Sequence, residues 1–270
     1  MIRVELRKLL LRPRTWVSVF LLCLLPAIVA IFLHISRVGP RPGEGPAFLS
    51  AVLGNGALYP AAALGLVLPI FLPIAVAVVS GDAVAGEAAS GTLRYLLIRP
   101  VSRTRLLVAK LISIGAYVFI AVVTVAATAY PVGISLLGTG EVVGTTTVSG
   151  TPLTTPQLIL RTVLTVLYIG WSMLGVASVS LFLSTLTDSA LAAALGGLAV
   201  LVTSTVLVAL DAAASVRSYL PTRYWLSWVD LFRDPILWRD VERGVIVQAV
   251  YIAVLLGMAW ANFATRDVTS

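Results

Sequence analysis

Apolar residues gather in six stretches, 15–36, 58–80, 106–130, 160–186, 189–210 and 245–264. Each is near the ~20 residues that an α-helix needs to cross a bilayer. The first is too long for a signal-peptide core and is followed by no small-residue cleavage pattern, so it reads as a span. Residues 1–14 follow another rule. Ile2, Leu6, Leu9 and Leu10 share one helical stripe while Arg3, Arg7 and Lys8 stand elsewhere. That pattern predicts an amphipathic helix on the membrane surface, ending near Pro13.

The connections differ in kind. Residues 37–57 are rich in Gly and Pro and predict irregular chain, and the Thr/Gly-rich 131–157 is compatible with a short hairpin. Residues 211–244 carry Tyr219, Tyr224, Trp225, Trp228, Phe232 and Trp238 among balanced charges. Arg223, Asp230, Arg233 and Asp234 are too costly at mid-bilayer, so short helices at the outer interface are expected, with the indoles at headgroup level. The whole of 1–270 reads as one all-α integral membrane domain of six spans, without a repeat or a second domain.

Residues 81–110, GDAVAGEAASGTLRYLLIRPVSRTRLLVAK, form a polar, basic island longer than a turn requires. Gly81 and Asp82 are expected to end the second span, and the alanine-rich 83–89 is helix-compatible. Gly91 interrupts; then Leu93, Leu96 and Leu97 make a stripe beside Arg94 and Arg99 until Pro100 stops it. Ser102 is the expected N-cap of the third span. By spacing alone, the stripe lies on lipid headgroups or docks into a groove on another protein, with equal weight.

Composition agrees with lipid. Charged residues are 11% of the chain, against roughly 25% in soluble domains. The net charge of +7 reads as topology and attraction to anionic lipid, with no nucleic acid implied. With the N-terminus inside, the inner connections hold 11 Lys and Arg and the outer ones 8. The bias is clearer early, 10 against 3 over the first two connections on each side. Both termini are therefore expected in the cytoplasm, with the chain multi-pass in the cytoplasmic (inner) membrane.

Candidate chemistry is sparse. Cys23 and His34 are each the sole residue of their type, so disulfides and a zinc centre are excluded and no metal site is expected. The two lysines, Lys8 and Lys110, follow no glycine-rich loop, so the chain holds no P-loop, and H-E-x-x-H and G-x-S-x-G are absent. The six stretches show no carboxylate away from their ends, and His34 reads as an interfacial residue. A chain that moves cargo without an ion relay takes its energy from elsewhere. No enzyme activity and no catalytic residue are expected.

Glu87-x-x-x-Gly91-Thr92-Leu93-x-x-Leu96-Leu97-x-x-Pro100-x-Ser102-Arg103, with Lys110 at the head of the next span, resembles the signature of ABC-2 type transporter permeases. Glu5-Leu6-Arg7-Lys8 before the first span and six spans in 270 residues are similar too. Ala88 and Ala89 depart from the charged residues that many members carry there. The resemblance implies the membrane-spanning subunit of an ATP-driven exporter of a drug, lipid or other amphipathic compound. Two copies, or one copy and a paralogue, would form the pathway above two separate ATP-binding subunits. ATP and Mg would reside on those subunits, and this chain would hold no cofactor. Glu87, Gly91, Thr92, Leu93, Arg94, Leu96, Leu97, Pro100 and Arg103 would belong to a coupling helix on the ATPase, within an 81–105 coupling segment. Glu5, Arg7 and Lys8 would belong to an elbow helix, and the turn 184–189 would be a second inner contact. The fifth and first spans would form the dimer seam, where Ala190, Ala193, Ala194 and Gly197 have the spacing for close helix contact; packing within one subunit is the other reading. Leu220, Pro221, Trp225 and Trp228 would form an outer gate; a simple interfacial anchor is the other reading.

Within the spans, Pro60, Pro69 and Pro73 bend the second, as pathway, hinge or plain packing. Tyr168, Trp171, Met173 and Phe182 face cargo, lipid or neighbouring helices. The rival readings are a stand-alone carrier and a non-transport membrane scaffold. Export rather than import rests on family analogy.

Overall fold

The structure is a computed structural model that describes residues 1–38, 49, 51–53, 55–91, 102–138 and 153–265. Every regular element among the described residues is helical. The helices are α1 (Ile2–Leu11), α2 (Pro13–Ser36), α3 (Tyr59–Val67), α4 (Phe71–Ala89), α5 (Arg103–Leu137), α6 (Thr155–Leu186), α7 (Ala190–Ala209) and α8 (Trp238–Thr265). Short 3-10 helices cover Gly56–Leu58, Asp211–Ala213, Arg217–Tyr219 and Trp225–Phe232. All of α2 and of α4 to α8, to Ala264 in α8, are long and apolar enough to cross a membrane.

α1 ends where sequence predicts, because Pro13 opens α2 at a position where its missing N–H costs nothing. Ser102 caps α5 as expected, its Oγ accepting from the Arg105 N–H at 3.3 Å.

The second span is not one helix over 58–80. It breaks at Leu68–Ile70, and only α4 has the length of a span. Pro69 has no N–H to donate, and a ring at Pro73 inside a continuous helix would clash with the carbonyl four residues earlier. α3 is instead a plug buried except at Leu66: Tyr59, Leu64 and Val67 are inaccessible to solvent, and it packs on α5 and α2.

α4 also runs through Gly81 and Asp82 to Ala89, so 81–89 is not a separate surface helix. Gly91 stops it with φ +67°, a left-handed backbone that suits glycine. Residues 92–101, with Thr92, Leu93, Arg94, Leu96, Leu97 and Pro100, lie outside the described residues. α5 is longer than expected, running on past Tyr130 to Leu137, where Gly138 at φ +80° ends it; most of the predicted hairpin also lies outside the described residues. The last helix starts at Trp238 and takes residues that sequence assigned to the outer connection.

α4 packs on α6 and α7, α6 packs on α8, and α5 holds α1, α2 and α3. The starts of α2, α5 and α7 and the ends of α4, α6 and α8 share one end of the bundle. Two links across it are Arg103 Nη1 donating to the Phe263 and Ala264 carbonyls (3.2 and 3.1 Å) and Asn262 Nδ2 donating to the Thr185 carbonyl at 2.7 Å.

Candidate functional site

At the end where the chain begins, three helical faces meet around ionised groups. α1 contributes Glu5, Lys8 and Leu9, spaced so that one face carries them, and Arg12 follows just past its end. α4 contributes Asp82 and Glu87, and α5 contributes Lys110 and Ser113. The faces enclose a cavity of about 40 Å³, room for roughly one water.

Glu87 is the centre. Its carboxylate pairs with Lys8 through Oε1 and lies 2.6 Å from Lys110 Nζ through Oε2. Lys110 is 2% exposed and also lies 3.9 Å from Glu5. Beside this group Asp82 accepts from Arg12 at 2.8 Å and Arg14 at 3.2 Å. Ser113 Oγ donates to the Glu5 carbonyl at 3.4 Å. Desolvating an ion costs several kcal/mol, and a buried pair repays that only with good geometry and further hydrogen bonds. The three carboxylates and four cations supply both. Chemically the cluster is a brace: it fixes α1 against the end of α4 and the start of α5.

Sequence assigns Glu5 and Lys8 to an elbow helix and Glu87 to a coupling helix on a partner. The structure turns them inward, onto each other and Lys110. The expectation of no carboxylate away from the ends of the spans is corrected by Asp82, seven residues before the end of α4, while Glu87 lies in its last turn. Asp82 was missed as a site residue. The available signal was Lys110, a lysine at the head of an apolar run that demands an anion. Arg7 is exposed on α1, and Arg103 ties α5 to α8.

A second clamp sits one turn away. Ser184 Oγ, fully buried at the end of α6, donates to the Gly81 carbonyl at 2.7 Å and accepts from the Val84 and Ala85 N–H groups at 3.1 and 2.9 Å. Ser184→Ala is expected to lower stability by about 1–3 kcal/mol, measured by thermal unfolding in detergent.

The small residues of α7 pack within the subunit. Gly81 lies against Ala194, and Gly197 against Ser180, so tightly that an added Cβ would clash. Ala193, Ala194 and Gly197 are buried and Ala190 is half-buried; the first three are covered by this chain itself and form no open seam. Trp225 and Trp228 are also buried, because their 3-10 helix lays Trp225, Trp228 and Leu231 on one edge, against α6 and α8. The Pro221 carbonyl accepts from Gln248 Nε2 at 2.7 Å, and Leu220 is half-buried beside it. Tyr168 and Met173 are buried, Tyr168 donating to the Tyr224 carbonyl at 2.6 Å. Pro69 sits in the break before α4, and Pro73 is buried within α4.

A chain whose regular elements are all helical among the described residues, six of them candidate spans, is a multi-pass membrane protein. It belongs to the DUF2705 family, described as a protein of unknown function, which it matches over residues 23–269. No curated protein matches the chain.

Proposed function

We propose that this chain is the membrane-spanning subunit of an ABC-2 type exporter, working with a separate ATP-binding subunit. The observation that carries the reading is the brace. The Lys8–Glu87–Lys110–Glu5 group binds the N-terminal helix to the two spans that flank residues 90–102. A partner pressing on that connection would move α1, α4 and α5 together, and through Ser184 the junction of α6 and α7. The signature residues around Gly91–Arg103, the six spans and the lack of a nucleotide-binding motif support the same reading. In it, the end carrying both termini faces the cytoplasm, and ATP and Mg reside on the partner.

The test is co-purification with an ABC ATP-binding subunit co-expressed with the chain from its own source. Wild type is expected to retain it, and Leu93→Asp with Leu96→Asp is expected to lose it while the membrane domain still elutes as a folded species. Retention by the variant would contradict the reading.

One observation favours a second reading. The buried Glu87–Lys110 pair gives a proton-coupled carrier the titratable group that sequence denied it. Flux driven by a pH gradient, in vesicles holding this chain alone, would select that reading.

A further inference from the structure

The opposite end of α8 carries a site that the brace does not touch. Beside the helix opens a groove of about 780 Å³, a volume typical of ligand sites. Arg243, Ile246, Val250 and Val254 line it at spacings of three, four and four, a single stripe down α8. Tyr219 and Tyr224 line it from the connection before α8.

The stripe has a cation at one end and branched aliphatic side chains below. Arg243 stands two residues before Val245, where the apolar run begins, so it lies at headgroup depth. From Arg243 to Val254 the helix rises about 16 Å, close to the ~15 Å half of a ~30 Å hydrocarbon core. Charge is complementary to an anion. Arg243 is the cation among the residues that line the groove. The ion pair of Arg243 with Asp240 is long at 3.8 Å and half-exposed. Arg239 and Glu242 on the same turns are exposed and cancel in charge.

We propose that this groove binds one anionic phospholipid of the adjoining leaflet, its phosphate on Arg243 and an acyl chain along Ile246, Val250 and Val254. The site is independent of any ATP-binding partner and stands or falls without it.

The test places the purified chain in mixed micelles with equal amounts of phosphatidylglycerol and phosphatidylcholine of identical chains, and native mass spectrometry reads the lipid retained. Wild type is expected to favour phosphatidylglycerol by about five-fold or more, the scale of one basic side chain at an anionic surface. Arg243→Gln is expected to bring the ratio near one, Val250→Trp to cut retention of both lipids, and Arg239→Gln to change neither. A wild-type ratio near one would overturn the proposal, and that reading needs no variant to fold. So would an Arg239→Gln loss equal to that of Arg243→Gln. A Val250→Trp chain that changes oligomeric state with lipid retention unaltered would also overturn it, by assigning the groove to a second copy.

Discussion

Glu87→Leu is expected to destabilise the folded chain by about 3–5 kcal/mol, because it leaves Lys110 buried with only a distant carboxylate. The remaining partner, Glu5, lies 3.9 Å away, against 2.6 Å for Glu87. Lys8→Met should cost far less, about 1 kcal/mol or below, since the Lys8 side chain is 36% exposed and water already screens it. The double variant Glu87→Leu, Lys110→Met removes both buried charges and should recover most of the loss. Unfolding in detergent, read as a double-mutant cycle, checks all three. Equal costs for Glu87→Leu and Lys8→Met would show that the cluster is solvated and braces nothing.

The second large effect is expected at the other end of the bundle. Gly56 and Gly133 bring two backbones into contact: a Cβ on Gly133 would sit 2.3 Å from the Gly56 carbonyl oxygen, and one on Gly56 would sit 2.1 Å from that of Gly133. The Gly56 N–H also donates to the Gly138 carbonyl at 2.9 Å. Overpacking costs about 1–3 kcal/mol where side chains can yield. Here the obstructing atoms are main chain, so Gly133→Val should exceed that range and separate α3 from α5. Gly257→Ala on α8, where a Cβ meets nothing within 4 Å, is the control. It should be neutral or stabilising by up to about 1 kcal/mol. Thermal unfolding of the two variants side by side gives the comparison, and similar midpoints would contradict the close approach.

The long apolar runs made the spans legible, because nothing else satisfies ~20 apolar residues. Their ends were less legible. Sequence stopped the second span at Gly81 and Asp82, since an isolated carboxylate does not continue into lipid. The helix continues because Arg12, Arg14, Lys8 and Lys110 arrive from elements far away in the chain, and pairing over such separations leaves no local pattern. The same blindness turned Lys8 and Glu5 outward. On α1 the face toward the cluster carries Glu5, Lys8 and Leu9, and of the stripe drawn from hydrophobicity Leu9 is buried and Leu6 half-buried while Ile2 and Leu10 are exposed, so hydrophobicity alone does not mark the charged members of that face. The α7 residues show a related limit. Small residues four apart announce close contact, and only the fold says that the contact is with α4 and α6.

The central claim is that work reaches this chain from a separate nucleotide-hydrolysing subunit. The most direct measurement is ATP turnover by an ABC ATP-binding subunit co-expressed with it, in nanodiscs with and without the chain. The account predicts that wild type changes turnover several-fold and that the Leu93→Asp, Leu96→Asp variant does not. Turnover indifferent to the presence of the folded wild-type chain would contradict it.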